Sequence, residues 1–391
     1  MYKVKTYNQI SSKGLDRFSR DHYEISSEIS QPDAILVRSQ KLHDEPIPDS
    51  LKAIARAGAG VNNIPIQKCT EKGIVVFNTP GANANAVKEL VLSGLLLSSR
   101  GIIQGIEYVQ SLTDISDPVA MSKLLEKEKK RFAGSELYGR SLGVVGLGAI
   151  GSMVAEMALA MGMKVLGYDP ALSVEAAWRL PSQVERKENI QLLLAHSDFV
   201  TLHVPAIDAT KHLINADTLT SVKAGAVLLN FARETIVDSA AVIDSLNSDQ
   251  GLSQYVCDFP EPSMLGRDDV LAMPHIGAST LEAEENCAKM AADQIKDYLE
   301  NGNIKNSVNF PVIQMPRTEE FRITFSNHNV AGVLGNVLSV LAKYEVNVID
   351  MLNKSRGDVA YNIIDVEQWP NDEVIGGIQE VEHVIGVRVL S

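Results

Sequence analysis

At 391 residues the chain is too long for one compact core, and ordinary domain sizes imply two or three domains. A formal net charge of −13 argues against a nucleic-acid partner, whose phosphates need a surplus of Lys and Arg, so any anion bound here must be gripped locally. With 45% hydrophobic and 22% charged residues the composition is that of a globular protein. No apolar run is long enough to cross a bilayer and no charged-then-apolar leader opens the sequence, so a cytoplasmic, membrane-free protein is expected. Cys69, Cys257 and Cys287 have neither metal-site nor redox-motif spacing, which predicts reduced thiols and no metal.

Short β-rich runs alternate with helix-like stretches through most of the chain, the pattern of parallel α/β sheets. The first set of strands reads as residues 2–6, 34–37, 53–56 and 74–77. Arg38 and Arg56 then fall at the ends of neighbouring strands, facing one crevice if the sheet is parallel. Two guanidiniums there suit a phosphate, which accepts paired hydrogen bonds. The bland alternative pairs them with nearby surface acids. Backbone N–H groups of Gly58, Ala59 and Gly60 are candidates to hold a substrate carboxylate. The stretch 123–134, "KLLEKEKKRFAG", mixes Lys and Glu as a solvated helix face does.

A second set of strands reads as 142–146, 163–168, 199–204, 226–231, 254–258 and 270–275. Between the first two lies "GLGAIG", residues 146–151. Gly146, Gly148 and Gly151 follow an apolar strand and open an amphipathic helix, and the next strand leads to Asp169, 18 residues beyond Gly151. The glycines permit a tight turn and close backbone approach, the helix N-terminus stabilises a pyrophosphate, and the carboxylate accepts from ribose hydroxyls. Asp169 would repel a 2′-phosphate, so NAD is favoured over NADP.

Three later strand ends carry ionisable groups where open α/β sheets place chemistry: Arg233 in "NFARETIVD", Glu261 in "CDFPEP" and His275 in "MPHIGAST". A base, a guanidinium and an acid are what hydride transfer at a 2-hydroxy acid requires. The base takes the hydroxyl proton, the guanidinium holds the carboxylate, and the acid orients the base. His203 in "TLHVP" reads instead as a structural residue bonded to backbone. Ser279 with Glu282 predicts a capping box opening a helix over 281–300. After "NFPVIQMP", residues 309–316, which looks like a linker, the pattern becomes βαββαβ, a small α+β domain.

Through "GLGAIG", "YDP", "TLHVP", "NFAR", "VDSAAVIDSL", "CDFPEP" and "PHIGAST", in that order, the chain resembles the D-2-hydroxyacid dehydrogenases. The segments "VRS", "ARAGAGVNN" and "NTPGANANAVKEL" are similar to the branch of that family acting on phosphoglycerate, and the tail resembles an ACT regulatory domain. The resemblance implies a Rossmann-type NAD domain (93–282) inserted in a flavodoxin-like substrate domain (1–92 and 283–308), then a linker (309–317) and an ACT-like domain (318–391). It implies oxidation of 3-phospho-D-glycerate with NAD, the entry to serine biosynthesis. Another 2-hydroxy acid, such as glycerate or 2-hydroxyglutarate, and a non-catalytic NAD-sensing role stand as alternatives. His275 is implied as acid/base, Arg233 as carboxylate clamp and Glu261 as partner of His275.

Implied cofactor contacts are Ala59, Gly146, Gly148, Ala149, Ile150, Gly151, Asp169, Val204, Phe231, Ala232, Arg233, Asp258, His275, Gly277 and Ala278. Lys129 is the position matched to a basic phosphate contact, supplied by a partner subunit in some members. A homodimer or homotetramer is implied, with L-serine as effector at Asn329 and Asn347. Four positions depart from the pattern. Only Phe259 and Pro260 separate Asp258 from Glu261 where the family has four residues, Glu234 replaces a glycine, Ala331 a proline and Asn327 a histidine.

Overall fold

The computed structural model describes residues 1–318 and 320–390, so Glu319 and Ser391 of the expected C-terminal domain lie outside the described residues. The chain forms two compact units, one made of residues 1–83 with 281–391 and the other of 84–280. The expected limits were 92 and 282, and the helix Ala84–Ser99 belongs wholly to the second unit.

The first unit opens with β1 (Tyr2–Thr6), β2 (Tyr23–Ser26), β3 (Ala34–Val37), β4 (Ala53–Arg56) and β5 (Val75–Phe77). They form a parallel sheet of order β2-β1-β3-β4-β5, the flavodoxin-like arrangement. Side chains alternate across it. Ala34 and Leu36 enter one core with the helix Leu281–Asn301, while Ile35 and Val37 enter another with Leu51, Ile64 and Cys69. Strand β2 escaped the sequence reading because "YEIS" is short and charged at an edge.

The second unit holds β6 (Ser141–Val145), β7 (Lys164–Tyr168), β8 (Glu185–Arg186), β9 (Phe199–Leu202), β10 (Val227–Asn230), β11 (Gln254–Cys257) and β12 (Val270–Ala272). All run parallel in the order β12-β11-β10-β9-β6-β7-β8, a Rossmann sheet. The edge strand β8 was not foreseen. The last strand ends at Ala272, so His275 stands in the loop beyond it rather than on the strand. Each core strand buries both faces, as parallel strands between helices must. Gly94 of the helix Ala84–Ser99 approaches so closely that a Cβ would lie 3.1 to 3.2 Å from Leu229, Phe231 and Val256.

The chain then returns to the first unit. The helix begins at Leu281, so Thr280 rather than Ser279 immediately precedes it, and the expected Ser279–Glu282 capping box does not coincide with the helix start. The segment expected as a linker is packed instead: Phe310 and Ile313 are fully buried, Ile313 bridges Ile304, and the Asn309 amide bonds Ile74 O and Val76 N. β13 (Phe321–His328), β14 (Val348–Arg356), β15 (Val359–Val366) and β16 (Val384–Leu390) make an antiparallel sheet of order β14-β15-β13-β16. The helices Val333–Lys343 and Asp372–Gln379 share a core with this sheet through Val337, Leu341, Val374 and Ile378. Val359, Tyr361 and Ile363 of β15 join instead the core of the flavodoxin-like sheet. No helix among the described residues is long and apolar enough to cross a membrane.

Candidate active site

Because every strand of the second unit's sheet is parallel, the residues after β6, β7, β9, β10, β11 and β12 all emerge at its carboxyl edge. At the first of these, Gly146 has φ +88°, and a Cβ there would meet the His203 carbonyl oxygen at 2.7 Å. A Cβ on Gly151 would stand 1.8 Å from the Gly146 carbonyl oxygen, so the helix start nests against the turn. The helix Ala149–Ala160 begins at Gly148 with no side-chain cap, leaving first-turn N–H groups for an anion, and Gly148 and Ala149 are exposed. Asp169 accepts from the Leu147 and Ala171 backbone N–H groups at 2.8 and 2.9 Å. Its carboxylate is thereby fixed beside the turn, with lone pairs left for ribose hydroxyls. Uncapped helix, glycine turn and held carboxylate fit a dinucleotide.

Farther along the edge, Asn230 ends β10 fully buried. Its side-chain oxygen accepts from Ala232 N at 3.1 Å and its Nδ2 donates to Arg233 O at 2.9 Å. That clamp shapes the turn carrying Phe231, Ala232 and Arg233. The Phe231 side chain is committed to the core, so at the edge it offers backbone only. Arg233 is half-buried and donates from Nη1 to Ala232 O at 2.6 Å, with its guanidinium carbon 5.8 Å from the centre of the Phe259 ring.

His275 is exposed, with φ +56°, a left-handed conformation uncommon for a residue with a Cβ. Asp258 holds the turn: its two oxygens accept from Ile276 N at 2.8 Å and Gly277 N at 2.7 Å, and the residue is 1% exposed. Asp258, implied as a cofactor contact, is thus buried in service of the histidine loop. Gly277 is buried within that turn, while Val204 is half-buried and Ala278 exposed. The Phe259 ring lies 4.6 Å from the imidazole, centre to centre, at 52°.

Glu261 is exposed, and neither a hydrogen bond nor an ion pair joins it to His275. Its charge acts instead on buried Tyr255 and Cys257. Burial pushes the Cys257 thiol up to about 11, with Asp258 and Glu261 adding to the rise. The implied Glu261–His275 pair is therefore not formed. Two prolines, Pro260 and Pro262, fix the path of Glu261, and the loop is too short to bring it back. His203 bonds the Thr201 hydroxyl at 2.9 Å rather than backbone, its Nδ1 is enclosed without a partner, and burial pulls its pKa down to about 3. It is a neutral structural histidine. The cysteines are buried and outside any disulfide.

In the first unit, Arg38 forms an ion pair with Glu284 at 2.6 Å, the partner that the bland alternative anticipated. Arg56 turns back on its own loop: Nε donates to Arg38 O at 2.9 Å and Nη1 to Gly60 O. A Cβ on Gly58 would lie 2.9 Å from that Nη1, so the glycine lets the guanidinium pass beneath. Asn78 Nδ2 donates to Ala59 O at 2.6 Å, fixing the loop further. Lys129 pairs with Glu126 on the exposed arm of the second unit. At the tail, Asn329 Nδ2 donates to Gly357 O and Asn347 Nδ2 to Glu367, each at 3.0 Å.

Residues 102–277 match the family model "D-isomer specific 2-hydroxyacid dehydrogenase, NAD binding domain". The D-3-phosphoglycerate dehydrogenase of Haemophilus influenzae is 30% identical over 343 residues, covering 85% of this chain and 79% of the relative. The chain belongs to the D-2-hydroxyacid dehydrogenase family. A hydroxypyruvate reductase of Thermotoga maritima is 37% identical over 272 residues, 67% of this chain and 83% of the relative. The D-3-phosphoglycerate dehydrogenase of Methanocaldococcus jannaschii is 34% identical over 337 residues, 84% of this chain, but the chain spans only 61% of that relative's length. Among solved structures, NAD+-bound 3-phosphoglycerate dehydrogenase of Entamoeba histolytica matches with a TM-score of 0.61 and 26% identity, covering 79% of this chain and 98% of that one.

Asn230 and Phe259 are the site residues that the sequence reading missed. A buried-strand pattern ending in an amide, "AVLLN", was a signal for the first. Nothing in "CDFP" alone marked the second.

Proposed function

We propose that the protein oxidises 3-phospho-D-glycerate to 3-phosphooxypyruvate with NAD+, the reaction that opens serine biosynthesis. The observation that carries this reading is the gathering, at one sheet edge, of an uncapped glycine turn with Asp169 and of Arg233 with His275. NAD+ bound along that edge would accept the hydride from C2. His275 would take the hydroxyl proton as general base, and Arg233 would hold the carboxylate through paired hydrogen bonds. Arg38 is our candidate for the phosphate, exchanging Glu284 for it. Arg56 supports the reading by bracing the loop of Gly58, Ala59 and Gly60, whose N–H groups are candidates for the carboxylate. Lys129 from a partner subunit, in a dimer or tetramer, would complete the phosphate grip. L-serine at Asn329 and Asn347 is the proposed effector.

NADH oxidation measured against a panel of 2-keto acids tests this, with 3-phosphooxypyruvate the expected best substrate. His275→Gln should lower turnover about 10²–10⁴-fold with NADH binding retained. The relative from Thermotoga maritima supports a second reading, reduction of unphosphorylated hydroxypyruvate. Equal kcat/KM on hydroxypyruvate and its phosphate would favour that reading and remove Arg38 from the scheme.

A further inference from the structure

The proposed chemistry needs an imidazole whose direction is fixed and whose protonated form is tolerated. Among the described residues no carboxylate bonds His275. Glu261 is carried off between two prolines and is exposed. What meets the imidazole is the half-buried ring of Phe259, at 4.6 Å and 52°. The same ring lies 5.8 Å from the Arg233 guanidinium carbon. Phe259 is held in turn from both sides in sequence: Asp258 is anchored by the N–H groups of Ile276 and Gly277, and Pro260 restricts the backbone of the residue before it. Asp258 therefore fixes the backbone just after the histidine, through Ile276 and Gly277, while Phe259 meets the imidazole itself.

We infer that Phe259, rather than an acidic side chain, is the residue that positions His275 and, through the same ring, Arg233. This inference rests on the proposed dehydrogenase reading for its catalytic meaning. An aromatic ring can do both jobs asked of the missing acid. Its packing limits rotation of the imidazole, and its quadrupole attracts a cation, which is what His275 becomes once it has taken the hydroxyl proton. Because the ring also lies beside Arg233, it spaces base and clamp at a set separation. Phe259 acts through these two residues and is a positioning residue, not a group that exchanges protons.

The experiment compares wild type with Phe259→Leu, Phe259→Tyr and Glu261→Gln, using ¹³C-histidine-labelled protein; the absent signal in His275→Gln identifies the resonance. The His275 ring protons should show an upfield ring-current displacement in wild type, Phe259→Tyr and Glu261→Gln, and lose it in Phe259→Leu. In kinetics, Phe259→Leu should lower kcat about tenfold or more while KM for the keto acid moves by about twofold or less, and Phe259→Tyr should stay within about threefold of wild type. Glu261→Gln should cost no more than Phe259→Tyr. NADH fluorescence and circular dichroism establish that each variant is folded. If Phe259→Leu disrupts folding, the comparison of Phe259→Tyr with Glu261→Gln decides. A loss in Glu261→Gln comparable to that in His275→Gln, or unmoved His275 resonances in a folded Phe259→Leu, overturns the inference. If the wild type reduces no 2-keto acid, the dehydrogenase reading fails while the resonances still decide whether Phe259 holds the histidine.

Discussion

In the proposed reading, Asp169 is the side chain that would set the preference for NAD over NADP. Its oxygens are tied to the Leu147 and Ala171 N–H groups, so a carboxylate facing the ribose, as proposed, would be unable to swing away from a 2′-phosphate. Asp169→Ala should narrow the ratio of kcat/KM for NADH over NADPH by about tenfold or more; an unchanged ratio would show that the carboxylate does not face the ribose. His203 gives the pH behaviour. Its folded pKa, about 3, lies below the unfolded 6.5, so on acidification the unfolded chain takes up a proton that the native state refuses. This histidine's stabilisation is therefore complete above about pH 6.5 and lost as pH falls toward 3, costing about 1.5 kcal/mol between pH 6.5 and 5. In His203→Asn the loss of stability across that interval should be smaller than in wild type, as urea titrations at the two pH values would reveal.

At the scale of elements, the loop after β12 is governed by β11. Replacing Asp258 with Ala removes the acceptor of the buried Gly277 N–H and the part-buried Ile276 N–H and should cost about 1–3 kcal/mol. Because the loop carries His275, turnover should fall by about 10–100-fold as well. Denaturant midpoint and kcat, measured together, check this, and a stability loss with unchanged kcat would detach the loop from catalysis. What sequence made legible follows the same division. The glycine turn, Asp169, Arg233 and His275 are carried by short local patterns, and each stands at the sheet edge where those patterns imply. Arg38 and Glu284 lie 246 residues apart, and the Phe259–His275 contact needs two loops to meet, so neither is written in any window of the chain. The edge strands β2 and β8 were missed because "YEIS" and "ER" have no apolar run to announce them.

Across the whole molecule, the C-terminal sheet is fastened to the flavodoxin-like part of its unit by arginines. Fully buried Arg322 pairs with buried Asp365 through Nε at 2.7 Å and also reaches the carbonyls of Asn301, Met315 and Pro316. Arg388 lies over the Tyr298 ring at 4.4 Å and donates to Leu299 O at 3.0 Å, while Arg356 donates to Ser307 O at 2.7 Å. Removing one partner of a buried pair strands a charge, so Arg322→Ala should cost about 3–5 kcal/mol, and Arg322→Met with Asp365→Leu far less. Calorimetry on the three proteins tests this. Equal losses in both variants would mean that the carbonyl contacts matter more than the pair.

The packed segment from Asn309 to Met315 and the β15 side chains Val359, Tyr361 and Ile363 roof the same apolar surface that helix Leu281–Asn301 presents. Trimming the gene to a minimal catalytic fragment ending near residue 308 would tear that roof off and leave a greasy scar. Such a fragment should come out of expression as inclusion bodies, so the tail belongs in every preparation meant for enzymology, whether or not it senses anything.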